Sequence, residues 1–383
     1  MLPPTHKALI LTQIGSPLHV DPIHPMPQLV PGSAIVQVLC ARLLSYSRDI
    51  YNGVRKYTLP TPSIPGGGAI GRVVAVANDA TSLQTGDLVL CDIYLRGRDN
   101  KDVGALVGIH DGHSAAAKRM VHGEWRDSTF AEYVKLPLEN CFKLDERKLL
   151  GSSSVSDPGV AGLGYSAEQL LYLASFAVPY GGLRDVGLDV CETVLIAPAT
   201  GMFGSAAVRV ALAMGANVIA MGRNASALEQ LKSDHLNSSL RASGGRLETV
   251  PITNDVQTDT AAIASFGLPI DVYFDISPPS ASDSTHLSSG ILSVRHGGRV
   301  SLMGGIKGDV ALPLGYVMHA NMTIKGKWMY ERDDILKLIK LVESGRLRVD
   351  YGSVKKYALE QWEEAFEVAA SEAGPGKVVA LVP

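Results

Sequence analysis

Two stretches of this chain carry residue types that can hold a ligand or do chemistry. In Ala-Pro-Ala-Thr-Gly-Met-Phe-Gly-Ser (197–205), Gly201 and Gly204 stand three residues apart, after an apolar run and before a helix-forming one. A backbone without Cβ can approach a pyrophosphate closely, and a helix starting there presents free N–H groups and the positive end of its dipole. Thr200, Gly201, Met202, Phe203 and Gly204 are therefore candidate phosphate contacts. The next apolar run closes on Gly222, Arg223 and Asn224. In dinucleotide folds an acidic residue at that place takes the ribose hydroxyls. Without the carboxylate nothing repels a 2′-phosphate, and an arginine can bind one bidentately. The expected cofactor is NADP(H). The second stretch, Leu-Leu-Ser-Tyr-Ser-Arg-Asp-Ile-Tyr-Asn-Gly (43–53), offers Tyr46 and Tyr51. A phenol can hydrogen-bond an oxygen that gains charge or deliver a proton to it. Arg48 can add positive charge, and Asp49 is expected to fix local backbone.

Positioning these residues requires two kinds of structure. Up to about residue 160 the chain is rich in Pro, Gly and short β-like runs, at 33–43, 68–77 and 86–95, which predicts a compact, mostly β domain. From about 161 strands and helices alternate, the pattern of a doubly wound parallel sheet. Strands are expected at 193–198, 217–221, 247–251, 270–275 and 298–303. Helices are expected at 203–214, 225–233, 256–265 and 284–294. Open parallel sheets bind ligands at the carboxyl edge of their strands. That rule adds Ser277, Met303, Gly304 and Gly305 as candidate cofactor contacts. A further strand near 320 and an amphipathic helix at 332–347 follow, and the chain from about 320 to 383 is expected to complete the first domain.

Composition narrows the function classes. With 383 residues, 46 % of them apolar, the chain can build two cores. A net charge of −3 and the absence of Lys/Arg runs argue against nucleic acid or anionic membrane as partner. No apolar run is long enough for a membrane span. Cys40, Cys91, Cys141 and Cys191 lie far apart, without metal or redox spacing. A cytoplasmic location with free thiols is the expectation. The polar segment 96–127 contains His110, Asp111, His113 and His122 and reads as a flexible loop rather than a metal site.

The order of motifs resembles the medium-chain dehydrogenase/reductase superfamily. Gly-Asp-Leu-Val (86–89), Ser-Thr-Phe-Ala-Glu-Tyr-Val-Lys-Leu-Pro (128–137), the glycine turn, Val-Arg-His-Gly-Gly-Arg-Val-Ser-Leu-Met-Gly-Gly-Ile-Lys-Gly (294–308) and Glu-Ser-Gly-Arg-Leu-Arg-Val (343–349) carry the likeness. It implies a GroES-like, mostly β catalytic domain (1–160, completed by about 320–383) and a Rossmann NADP-binding domain (161–319). Relatives that use zinc hold it with a Cys, a Gly-His-Glu segment and a second Cys. Here those positions align with Tyr46, with Gly67 and Gly68, and with Gly159, so no metal ligand set remains, and the four-cysteine structural lobe is missing too. The resemblance is closest to the zinc-free branch of quinone oxidoreductases and enone reductases. Trp328 falls where family members place a strand near the nicotinamide and the subunit interface.

A hydride acceptor needs an electrophilic carbon and a group that steadies the oxygen gaining charge. Without a Lewis acid, hydrogen-bond donors must do this, and conjugated substrates lower the demand on them. The implied reaction is reduction of an activated C=C bond, or of a quinone, in a small-molecule substrate. Two alternatives stay open: carbonyl–alcohol interconversion on a specialised biosynthetic substrate, and an NADP(H)-binding protein without catalysis. The resemblance also implies a homodimer through the edge strand of the nucleotide domain.

Overall fold

The computed structural model describes residues 2–151, 162–236 and 245–383. Contacts divide the chain into two units. The first comprises residues 1–174, 352–373 and 377–383, and the second 175–351 and 374–376. The nucleotide unit thus runs on to 351, past the expected limit of 319, because the amphipathic helix near its end packs there. Only the last thirty or so residues return to the first unit.

The first unit holds β1 (Thr5–Ile10), β2 (His19–Pro25), β3 (Ser33–Leu43), α1 (Ser47–Tyr51), β4 (Ala69–Val76), β5 (Leu88–Cys91), β6 (Tyr94–Arg96) and β7 (Gly104–Leu106). Then come α2 (Ala115–Gly123), β8 (Tyr133–Pro137), β9 (Cys141–Lys143) and α3 (Glu146–Leu150). Its main sheet has the order β16-β17-β3-β4-β5-β9, with β8 also on β3, where β16 is Ser353–Ala358 and β17 is Lys377–Val382. All its pairings are antiparallel except that of β16 with β17. Alternating apolar residues such as Val36, Val38, Val73 and Val89 fill one continuous core, which includes Tyr51.

The segment 96–127 is not a loop. Strands β6 and β7 form a hairpin, and α2 is capped by Ser114, whose hydroxyl accepts from the Ala117 N–H at 3.1 Å. Leu95, Ala105, Val107 and Val121 make a small core of its own, flanked by Met120 and Trp125. Burial of these few side chains offsets the ordering entropy that a polar sequence would otherwise leave unopposed.

The second unit alternates as expected. It contains α4 (Tyr172–Asp185), within which the division falls, β10 (Thr193–Ala197), α5 (Met202–Ala213), β11 (Asn217–Gly222), α6 (Ala225–Leu236) and β12 (Leu247–Pro251). It continues through α7 (Val256–Ala264), β13 (Ile270–Asp275), α8 (His286–Ser293), β14 (Val294–Leu302), α9 (Leu314–His319), β15 (Thr323–Gly326) and α10 (Arg332–Glu343). The sheet is wholly parallel in the order β12-β11-β10-β13-β14-β15. Strands β10 and β13 are buried on both faces, which is why they read as unbroken apolar runs. The order reverses between β10 and β13, and it is at such a switch point that open sheets bind ligands. No helix among the described residues is long and apolar enough to cross a membrane.

Candidate active site

The turn after β10 supplies a cradle rather than side chains. Gly201 is the N-cap of α5, and a Cβ built on it would meet nothing within 4 Å. The space above it is open to a ligand, and the first N–H groups of a twelve-residue helix face that end. Gly204 is required for the opposite reason. Its missing Cβ would overlap the Pro198 carbonyl oxygen and press to 2.9 Å on the Ala199 Cα, so only glycine lets helix and strand pack this closely. Thr200, Met202 and Phe203 are half-buried around the turn.

The end of β11 stands directly beside this turn. The Ala199 N–H donates to the Met221 carbonyl at 2.7 Å, and a Cβ on Gly222 would lie 2.7 Å from the Thr200 methyl carbon. Arg223 is exposed and has no ion pair or hydrogen bond among the described residues. Asn224 is committed to the fold, its side chain accepting the Ala227 N–H at 3.0 Å as a cap for α6. Of the three residues at this strand end, Arg223 alone carries a charge, and it has no partner among the described residues. These features fit a nicotinamide dinucleotide: an open glycine N-cap for the pyrophosphate and an unpartnered guanidinium where the adenosine ribose would end.

At the ends of β13 and β14 the structure brings Ser277, Met303, Gly304 and Gly305 together. The Met303 N–H donates to the Asp275 carbonyl at 2.9 Å and the Gly305 N–H to the Ser277 carbonyl at 2.7 Å. A Cβ on Gly304 would overlap a carboxylate oxygen of Asp275 and sit 2.8 Å from the Ser277 nitrogen. Ser277 corrects an expectation. Its side chain is buried, with Oγ 2.5 Å from Asp275 Oδ1 and 2.6 Å from His286 Nε2, and is spent on the protein. It braces the loop, and any contact with a ligand must come from its backbone. His286 is fully buried and also places Nδ1 2.7 Å from Ser284 Oγ. Asp275 Oδ1 lies 3.2 Å from the same Nε2 that meets Ser277, so this is no nucleophile–base–acid relay. Sequence reading missed His286 because eleven residues separate it from Asp275. Met303 is half-buried, its thioether against Gly182 of α4.

In the first unit the two tyrosines part company. Tyr51 is 1 % exposed, belongs to the core, and donates its hydroxyl to the Gly108 carbonyl at 2.9 Å. Burial pushes its phenol well above the ordinary value. It is therefore a structural residue and no donor to substrate. Tyr46 is half-buried, with the Arg55 guanidinium stacked 3.7 Å from its ring centroid, and its hydroxyl has no partner among the described residues. Burial raises its phenol too, against the pull of Arg55. Arg48 is engaged elsewhere, its Nη1 donating to both carboxylate oxygens of Glu367 at 2.7 and 2.8 Å.

At two of the positions that the resemblance aligns with metal ligands, glycine is packed tightly. A Cβ on Gly67 would overlap the Arg42 carbonyl oxygen, and one on Gly68 would lie 2.7 Å from the Ala174 Cβ. Neither position has room for a larger side chain without a shift of its neighbours. Gly159 lies outside the described residues. Among the described residues no group of three or more His, Cys, Asp or Glu could hold a metal ion.

Two family descriptions match the chain: alcohol dehydrogenase GroES-like domain over residues 30–146 and zinc-binding dehydrogenase over 203–344. The second lies in the nucleotide unit and includes none of the positions aligned with metal ligands. An L-threonine 3-dehydrogenase of Vibrio parahaemolyticus is 25 % identical over 361 residues, covering 92 % of each chain. One of Escherichia coli is 24 % identical, covering 93 % of this chain and 94 % of its own. Among solved structures, a short chain alcohol dehydrogenase of Escherichia coli complexed with NADH superposes with a TM-score of 0.76 at 16 % identity, covering 100 % of both chains. An alcohol dehydrogenase of a Thermus species gives 0.75 at 21 %, covering 98 % of this chain and 99 % of its own. At these identities the solved structures speak for the fold.

Proposed function

Given that this chain belongs to the medium-chain dehydrogenase/reductase superfamily and is an oxidoreductase of that group, we propose that it is a zinc-independent enzyme that uses NADPH to reduce an activated C=C bond or a quinone. The observation that carries the cofactor choice is Arg223, exposed and without a partner among the described residues beside the glycine turn, where an NAD site would offer a carboxylate. The reaction class follows from the closed packing at Gly67 and Gly68, which leaves hydrogen-bond donors as the means of steadying an oxygen. When bound, the reduced nicotinamide supplies the hydride. Gly201 and the α5 N-terminus bind the phosphates, Arg223 selects the 2′-phosphate, and the Asp275–Ser277–His286 brace holds the loop under Gly304. Tyr46, whose hydroxyl has no partner among the described residues, is the phenol this reading assigns to a substrate oxygen.

The names of the relatives favour a second reading, carbonyl–alcohol interconversion. A saturated carbonyl is a poorer hydride acceptor without a Lewis acid, and this ranks it behind conjugated substrates. A chelator-treated preparation assayed with NADPH and a panel of enones, quinones and aldehydes separates the two. Turnover of enones or quinones supports the first, aldehydes alone support the second, and no turnover with intact NADPH binding leaves a binding protein. Fluorescence titration with NADPH and NADH tests the cofactor. Wild type should prefer NADPH, and Arg223→Ala should lose about 1–3 kcal/mol of that preference. Equal affinities in the wild type would refute it.

We also propose a homodimer. Strand β15 is a sheet edge paired only with β14 among the described strands, and Leu312, Leu314, Met318 and Trp328 nearby are 40 to 72 % exposed. Leu314→Glu should shift a sedimentation profile from dimer to monomer.

A further inference from the structure

We infer that His110, together with Tyr57, forms a fixed hydrogen-bond donor site for a ligand oxygen that carries or gains negative charge. The insert 96–127 would then contribute to the chemistry.

The geometry starts with the backbone. His110 is held by an antiparallel bridge to Leu106, with N–H···O bonds of 2.7 and 2.9 Å in the two directions. Its Nδ1 accepts the Gly112 N–H at 2.8 Å. A ring nitrogen that accepts a backbone N–H carries no proton, so the neutral ring bears its hydrogen on Nε2. That Nε2–H has no partner among the described residues. The next residue pins the insert to the segment that carries Tyr46 and Tyr57: the Asp111 N–H donates to the Thr58 carbonyl at 3.0 Å, and the Thr58 hydroxyl to the Asp111 carboxylate at 2.5 Å. As a result the His110 ring meets Tyr57 edge to face, with centroids 5.0 Å apart.

Tyr57 is prepared in a matching way. Arg55 donates Nη1–H to the Tyr57 oxygen at 3.1 Å, so the phenol's own hydrogen is free to point elsewhere. A cation on the oxygen makes that O–H a stronger donor. The same guanidinium lies over Tyr46. The His110 ring, with its tautomer fixed, and the Tyr57 phenol, with its hydrogen free to turn to a ligand, thus lie in contact next to a positive charge. The nearest negative charge, Asp111, is answered by Thr58 and by His122 at 2.8 Å. Burial, then the neighbouring His113, hold the imidazole below its ordinary value against the pull of Asp111, which keeps it neutral. A neutral imidazole can donate to an oxyanion without first losing a proton to it. In structural terms this is an oxyanion site built without metal.

The inference deepens the reading above and rests on it only for the ligand's identity, the oxygen of a conjugated carbonyl or quinone. The test therefore uses a probe that needs no turnover. Para-nitrophenol changes absorbance when bound as phenolate, and it is titrated into the full-length protein. Wild type should bind it, and Tyr57→Phe and His110→Ala should each weaken binding at least about tenfold, the loss of one charge-assisted bond. His110→Gln should restore most of it, because the amide nitrogen can take the place of Nε2–H, with the unfolding midpoint confirming that each variant is folded. Absence of binding to the wild type, or unchanged affinity in His110→Ala, overturns the inference. Binding as expected with no enone or quinone reduced keeps the site and discards the reduction. Reduction at an equal rate in wild type and His110→Ala, with binding unchanged, does the reverse.

Discussion

Glycines do opposite work in the two units. In the nucleotide unit, Gly201 leaves room for a ligand and Gly204 lets a helix start against the Pro198 carbonyl, so missing side chains create a site. In the first unit, at Gly67 and Gly68, which the resemblance aligns with metal ligands, neighbouring backbone and Ala174 fill the space. There the missing side chains let the chain close up. A binding function made of backbone survives any sequence that keeps the turn, whereas one made of side chains is lost with two substitutions.

The largest effect that could break this comparison lies at the phosphate turn. Gly204→Ala places a methyl into the Pro198 carbonyl, where backbone must move. Overpacking of this kind costs about 1–3 kcal/mol of stability, and the displaced helix start should abolish nicotinamide binding in a fluorescence titration. Unchanged affinity would mean that the ligand does not use this turn. The reciprocal change, Gly67→His, should destabilise by a similar amount of about 1–3 kcal/mol and bind no zinc after dialysis against the metal. A folded variant with one tightly held zinc ion would show that the first unit kept its metal geometry after all.

A smaller effect is expected where the nucleotide unit uses side chains. His286→Ala leaves the buried Asp275 and Ser277 each short of one partner, which costs about 1–3 kcal/mol for an unsatisfied buried polar group. If the network braces the loop below Gly304, the KM for NADPH should rise while the KM for the electrophile stays constant. A fall in stability with both constants unchanged would make it a core contact only.

The same contrast explains what could be read from the sequence. Strand β3 has the expected bounds, 33–43, and the β-α alternation from β10 to β14 was legible, because burial on one or both faces writes a periodic pattern into the residues, whereas α4 and α9 were not expected. The turn was legible because a helix that starts tightly after a strand needs glycine where a Cβ would meet backbone, as at Gly204. The insert was not. Four apolar side chains make its core, too few to show a period among charged residues. Tyr46 and Tyr51 looked equivalent, since nothing local says that one hydroxyl ends on Gly108. The pairing of His286 with Asp275 and of His110 with Tyr57 depends on approach across segments, which no spacing rule reports. The return of the chain to the first unit at 352 instead of about 320 has the same origin.

The smallest effect concerns pH, and it sharpens the claim that the insert is ordered. His6 and His110 are both held below the ordinary value of 6.5, each chiefly by burial. For His6 the neighbouring His24 adds to the lowering, while Glu132 and Asp127 oppose it. For His110, His113 and Lys118 add to it, while Asp111 opposes it, and Tyr57 and Arg55 complete its surroundings. The unfolded chain takes up these protons near 6.5 and the folded protein only at lower pH. Between those limits the unfolded state binds more protons, so stability rises with pH through this window and is complete above 6.5. Asp111 lies outside the window. Burial raises its carboxyl, but the bonds from Thr58 and His122 prevail and hold it below 3.8, so its contribution is lost only in stronger acid. The unfolding midpoint should therefore fall from about pH 7 to about pH 5.5, and His110→Gln, which cannot titrate, should show a shallower fall. Equal slopes for the variant and the wild type would place the His110 ring in solvent, and with it the insert as a loose loop.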